Sequence, residues 1–178
     1  LVFKLNRTEK KVVFLLIAAP VAISTLYLSG HTVYLNLISE SMGPVHWHAD
    51  YEVWVCDKKL DLMDPTGFEN RVGSPVFHEH NDNRIHAEGV LVKISDASLE
   101  EYFEVISGEL HEDQLSYPTD SGTISVKNGD LCNGKPGKLQ AFLYKTIGNR
   151  YHQEKVADFP QYVLSPYSQV PPGDCIII

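Results

Sequence analysis

The chain has 178 residues, 43 % of them hydrophobic and 21 % charged, the composition of an ordinary globular domain with at most an appendage. Its net charge is −8, and the 138 residues after position 40 carry 11 basic against 21 acidic groups, a net −10. Such a body repels nucleic acid, shows no basic patch to argue otherwise, and gathers cations instead.

Val12–Leu28 reads VVFLLIAAPVAISTLYL and holds no charge. With Ser29 and Gly30 it spans about 28 Å as a helix, the thickness of a hydrocarbon core. Pro20 is tolerable there if neighbouring groups satisfy the carbonyl it frees. Lys4, Arg7, Lys10 and Lys11 precede the span, and no Lys or Arg follows before Lys58. The positive-inside rule therefore predicts a cytoplasmic N-terminus and an extracytoplasmic body. A cleaved signal peptide and a buried core helix are the rival readings; no Ala-x-Ala site follows the span. Charges within positions 4–11 argue against a type IV pilin, whose start is apolar. The apolar Thr32–Ile38 extends the helix or packs on a partner subunit. Leu1 is not an initiator Met, so processing or missing residues are expected there. The last strand stops abruptly at Ile178, so a C-terminal extension is expected as well. The domain division is thus 1–40, N-terminus, membrane helix and apolar extension, and 41–178, a β-rich outer domain.

From Val45 to Cys56 apolar and polar residues alternate, the period of a half-buried strand. Val45, Trp47, Ala49, Tyr51, Val53 and Val55 form the core face, so His46 and His48 lie on the polar face beside Asp50 and Glu52. Asp57-Lys58-Lys59 reads as a turn, KLDLM as a return strand, and Asp64-Pro65-Thr66-Gly67 as a break. Val76–His80 and Arg84–Val92 read as a hairpin about Asn81-Asp82-Asn83. A three-residue loop would set His78 opposite His86 and Val76 opposite Glu88, with Cβ atoms about 5 Å apart. Ser98-Leu99-Glu100-Glu101 is a capping box, and Leu99, Tyr102, Phe103 and Ile106 form a buried helical stripe with Gly108 as C-cap. Strands follow at Gly122–Val126 and Leu139–Thr146. Pro171-Pro172-Gly173 turns into a last strand, Cys175-Ile-Ile-Ile, whose unbroken apolar run suits a central position.

These elements predict a mainly β domain with one clear helix. A β-grasp-like α+β fold with the 76–92 hairpin inserted fits the order; a cupredoxin-like sandwich is the alternative. Neither an internal repeat nor a low-complexity tract is present.

Five of the eight histidines fall within residues 46–86. His-x-His on a strand puts both rings on one face about 7 Å apart, a chelate spaced in advance. His46, His48, His78, His80 and His86, with Glu88 as a fourth ligand or an acceptor behind one, are the candidate metal ligands, and they are expected to converge on one ion. Neutral imidazoles suit zinc, copper, nickel or iron, with copper or zinc favoured. His31, His111 and His152 stand alone and receive no role.

HWHADYEVWV followed by HEHNDNRIHAEG resembles a family of membrane-anchored, histidine-rich archaeal and small-genome bacterial proteins. They carry H-x-H-A-D-[FY], then H-x-H-[ND], then I-H-x-[HE]. The resemblance covers roughly residues 45–178 and implies an extracytoplasmic domain; it supplies no activity. Glu88 stands where many relatives carry histidine, and a carboxylate there favours zinc or iron over copper(I).

Cys56, Cys132 and Cys175 would lie in an oxidising compartment, which allows one disulfide. In β-grasp topology Cys56–Cys132 is the favoured pair, leaving Cys175 near His48 as a buried small hydrophobe or a soft ligand. Three functions fit. One is a non-catalytic metal-binding subunit or metal carrier, docked to other membrane subunits in the bilayer. Another is a metalloenzyme, an oxygenase or hydrolase, although the cupin carboxylate follows its second histidine by four or five residues and Glu88 follows His80 by eight. The third is a self-assembling surface protein.

Overall fold

The computed structural model describes residues 6–147, 150–164 and 173–178. It is a mixed α+β structure: a domain mainly of strands with one short helix, preceded by one long apolar helix. The expected turn residues Pro171 and Pro172 lie outside the described residues.

Helix α1 runs Arg7–Ile38, about 48 Å at roughly 1.5 Å per residue, with no residue buried. That exposure excludes the core-helix reading. Asn6 caps it: its side chain accepts from the Thr8 and Glu9 N–H groups while Glu9 reaches back to the Asn6 N–H. The helix runs on through residues 31–38, so this apolar segment extends it. Its end is tied to the domain by Glu40 and Ser41, whose backbone bonds Val92 and Leu91, while the Glu40 carboxylate takes the Ile94 N–H at 2.8 Å.

The main sheet is built on β1, Pro44–Val55. Trp47, Ala49, Tyr51 and Val53 are buried and the residues between them are not, as the alternation requires. A tight turn at Cys56-Asp57, with Cys56 at φ 56°, leads to β2, Lys58–Leu60. The turn is thus shorter than expected, and the return strand stops before Asp61. Next come β3 (Val72–Gly73), β4 (Phe77–Glu79) and β5 (Arg84–Val90). A 3₁₀ turn at Ile94–Ala97 leads into α2, Leu99–Val105. Three short segments follow, β6 (Glu109–Leu110), β7 (Gln114–Thr119) and β8 (Gly122–Lys127), forming a separate three-stranded sheet. The hairpin β9 (Leu131–Cys132) and β10 (Lys135–Pro136) precedes β11 (Ala141–Ile147), β12 (Arg150–Val156) and β13 (Asp174–Ile177).

The strand order of the main sheet is β12-β11-β13-β1-β5-β4-β3, with β2 also paired to β1. The first and last strands are adjacent and parallel, Asp50 opposite Cys175. Leu99, Tyr102, Phe103 and Ile106 of the α2 segment are buried in one core with Tyr51, Phe77, Ile85, Leu115 and Tyr117. Ser98 Oγ accepts from the Glu101 N–H at 3.3 Å, one half of the anticipated capping box.

Three details depart from the sequence reading. Ser107, not Gly108, takes the left-handed conformation after α2. Gly108 is needed for room, since a Cβ there would stand 2.5 Å from the Ser116 carbonyl oxygen. The last strand alternates after all: Asp174, Ile176 and Ile178 are buried, while Cys175 and Ile177 are only half covered. Strands β7 and β12 carry polar residues on their open faces, and their periodicity was too weak to announce them.

The 80–83 turn is held by a buried carboxylate. Glu79, 1 % exposed, accepts the N–H groups of Asn81 and Asp82 at 2.6 Å and of Asn83 at 2.8 Å. Asn81 and Asn83 adopt positive φ, which asparagine tolerates better than most residues. Replacing Glu79 with alanine leaves three turn donors to find new partners and opens a cavity. The variant is expected to lose about 3 kcal/mol of stability, read as a lower urea midpoint against the parent.

Candidate metal centre

The five histidines of residues 46–86 share the face of the main sheet opposite the core, where His46 is exposed and His78 is buried. Register places them in rows. His48 on β1 is opposite His86 on β5, which is opposite His78 on β4. The row ends at Gly73 on β3, directly opposite His78. A Cβ at Gly73 would stand 2.6 Å from the Phe77 carbonyl oxygen and 3.0 Å from the His78 Cα, so only glycine lets β3 come this close. One row along, His46 is opposite Glu88; on the other side, Asp50 is opposite Arg84. Arg84 Nε lies 2.6 Å from Asp50 Oδ1 and closes that edge of the cluster with an ion pair.

The rings touch in sequence. His46 meets His48 edge-on at 4.6 Å between centroids, His48 meets His86 at 4.7 Å, and His86 stacks on His78 at 5.4 Å. His80 packs at 4.7 Å from His78 and 5.0 Å from His86. The hairpin register read from the three-residue loop, His78 against His86, is the one observed.

Glu88 is the hub. Its Oε1 lies 3.4 Å from His46 Nε2, 4.0 Å from His48 Nε2 and 3.8 Å from His86 Nδ1. Among the described residues, potential ligand atoms within 4.8 Å of one another form two sets, His46-His48-Glu88 and His78-His86-Glu88. The two sets share the Glu88 carboxylate, and neither holds all five histidines. His80 falls outside both sets, and its Nδ1 is 2.6 Å from the Asn70 carbonyl oxygen. The same bond fixes the His80 tautomer, with Nδ1–H donating and Nε2 carrying the lone pair.

Two contributors were absent from the sequence reading. Asp82 Oδ2 is 3.3 Å from His86 Nε2. A carboxylate on one nitrogen orients an imidazole and leaves the other, here Nδ1 on the Glu88 side, free to bind. Glu79 sits between His78 and His80, so strand alternation points it into the core, where it shapes the turn. Its parity, and the Asn-Asp-Asn donors just beyond it, were the available signals.

His78 is the most telling residue. It is 2 % exposed, and its Nδ1 is buried without a hydrogen-bond partner among the described residues. Buried polar atoms in folded proteins are almost always satisfied, and an orphan calls for an ion, a water or strain to explain it. Burial pushes the His78 pKa below the usual imidazole value, with His80 and His86 acting in the same direction. Burial likewise lowers His48, assisted by His86, His46 and Arg84 and opposed by Glu88. Both rings are therefore in the neutral form at neutral pH, the form that binds metals.

Cys175 lies opposite Asp50, partly rather than fully buried, and joins neither ligand set. Burial raises its thiol pKa, and Asp50 and Glu52 add to the effect, so the thiolate a soft metal needs is disfavoured. A disulfide joins Cys56 to Cys132. Asn133 donates to Asp57 at 2.6 Å beside it, so the β9–β10 hairpin is tied to the far end of β1, away from His46 and His48.

Comparison with protein families, with curated proteins and with solved structures finds no match for this chain. The arrangement of side chains must carry the functional argument alone.

Because His48 and His78 titrate lower folded than unfolded, the unfolded chain binds more protons as pH falls past about 6.5, the ordinary imidazole value. The metal-free domain is expected to hold full stability above that pH and to lose it progressively toward pH 5. Urea midpoints at pH 7.5, 6.5 and 5.5 test this, with a shallower fall expected in a His48→Asn, His78→Asn variant.

Proposed function

We propose that the chain is a single-pass, membrane-anchored extracytoplasmic protein whose outer domain binds copper or zinc through His46, His48, His78, His86 and Glu88. In this reading it serves as a metal carrier or as an accessory subunit of a membrane complex. The buried ring of His78, whose Nδ1 has no hydrogen-bond partner among the described residues and which offers a ring nitrogen within 4.8 Å of ligand atoms on His86 and Glu88, is the observation that carries it. A ring nitrogen enclosed in protein without a hydrogen-bond partner is disfavoured, and a bound ion would satisfy it. The mixed imidazole and carboxylate donors fit zinc or copper(II) better than copper(I).

Exposure favours a carrier or subunit over an enzyme. The His46 side chain is 65 % exposed and that of Glu88 39 %, so one flank of the cluster is open to exchange. The metalloenzyme remains the second reading, since each ligand set leaves coordination positions for a substrate. An interchain metal bridge, the third, would use the same exposed His46.

The anchor reading rests on the exposed apolar helix α1, and the disulfide fits an oxidising compartment. Arg7, Lys10 and Lys11 ahead of the apolar span support an inside N-terminus. Parallel neighbours β1 and β13, with β2 and β11 flanking them and α2 across one face, support a β-grasp-like core into which the β3–β5 segment is inserted. The kinship read from the HWHADY and HEHND motifs is consistent with this picture and stays part of the proposal.

Purified natively without added metal, the full chain is expected to carry at least one equivalent of copper or zinc by inductively coupled plasma mass spectrometry. A variant with His46, His48, His78 and His86 all changed to alanine is expected to carry none; a metal-free parent would sink the reading. For topology, protease added outside intact cells is expected to remove the domain after residue 40. A domain shielded until the membrane is permeabilised would reverse the orientation.

A further inference from the structure

The metal-binding reading concerns whether the cluster takes an ion; its geometry speaks further to how many. We propose that Glu88 bridges two metal ions, one held by His46 and His48 and the other by His78 and His86. The proposal rests on the metal-binding reading above.

Sheet geometry divides the donors. His46 and His48 come from one strand, two residues apart, and both present Nε2 toward Glu88 Oε1, at 3.4 and 4.0 Å. His78 and His86 come from two strands and stack across the β4–β5 pair, their planes only 3° from parallel. Each neutral imidazole offers one lone pair, so a ring cannot serve both sides. Asp82 on His86 Nε2 commits that ring to bind through Nδ1, which is 3.8 Å from Glu88 Oε1. Glu88 is the one residue common to both sets. A carboxylate has two oxygens and about four lone-pair sites, so it alone among these side chains can hold two ions at once.

The result is two matching half-sites, each of two imidazoles and a shared carboxylate. Ions bridged in this way sit about 3.5–4 Å apart in known two-metal centres. Repulsion between two dications at that spacing is offset by the bridging anion, and the acidic body adds a favourable field. The half-sites are not equal in access. His78 is buried and His46 is largely exposed, so the ion on His78 and His86 is held inside while the ion on His46 and His48 faces solvent. His80 packs its ring 4.7 Å from that of His78 but holds its Nδ1 on the Asn70 carbonyl and belongs to neither half-site.

The test is stoichiometry. The full chain in detergent is equilibrated with zinc(II), freed of unbound metal, and assayed by mass spectrometry together with its His46→Ala, His48→Ala double variant. The expected result is two equivalents for the parent and one for the variant. His46 and His48 lie at solvent-facing positions, so the variant should fold, and an unchanged circular dichroism spectrum with an intact Cys56–Cys132 bond checks that it does. A second variant, His78→Asn with His86→Asn, is also expected to hold one equivalent, and Glu88→Gln fewer than the parent. One equivalent in the parent, whichever variants remove it, would overturn the bridged pair while leaving the metal-binding reading intact. Two equivalents insensitive to both double variants would place the ions elsewhere and overturn it as well. No metal at all would bring down both readings together.

Discussion

Three backbone N–H groups converge on the buried carboxylate of Glu79, and the arrangement of the histidine face depends on that convergence. A carboxylate withdrawn from water must be satisfied by donors, and the turn at Asn81, Asp82 and Asn83 supplies them. With the turn so closed, β4 and β5 have one register available, and that register sets His78 against His86. A slip of one residue would move every imidazole of the hairpin to the other face of the sheet. The same turn carries Asp82 to His86, so a single closure both aligns two rings and orients one of them.

Beneath the histidines the sheet is backed by a dense aromatic layer. Tyr51, Phe77, Tyr102, Phe103 and Tyr117 are buried there, the Tyr51 and Tyr117 hydroxyls 2.9 Å apart. Burial drives the tyrosine pKa values upward, so the layer stays neutral beside the Glu79 carboxylate. A rigid platform of this kind limits how far the imidazoles can shift. Metal centres are most selective when their ligands are held rather than gathered on binding. At the opposite end of β1, the Cys56–Cys132 disulfide ties down the β9–β10 hairpin. The site and the staple thus occupy the two ends of one strand.

The path from α1 to the site is short. Pro44 opens β1 only six residues after the helix ends, and His46 is two residues further. Glu40 and Ser41 bond the segment around Leu91, Val92 and Ile94, which leaves β5 just beyond Glu88. The exposed flank of the cluster is therefore the flank nearest the helix. If α1 crosses a bilayer, its last turns lift that flank about 12 Å clear of the apolar span, at roughly 1.5 Å per residue over residues 31–38.

Alternation along β1 was enough to place His46 and His48 on the solvent face, because a strand has a period of two and the apolar residues must all go one way. The loop length between His80 and Arg84 was enough to pair His78 with His86, and the charge-free run at Val12–Leu28 announced α1. These are local properties, written in spacing. The division of ligands into two sets was not legible, because it depends on how the β1–β5 and β4–β5 pairs lie together about Glu88. Nor was the Asn70 carbonyl on His80, which arrives from a loop ten residues away. The need for glycine at position 73 likewise arises only where β3 presses against β4. What the sequence determined by itself was which side chains share a face; which of them meet around one point was decided only by the packing of strands distant in the chain.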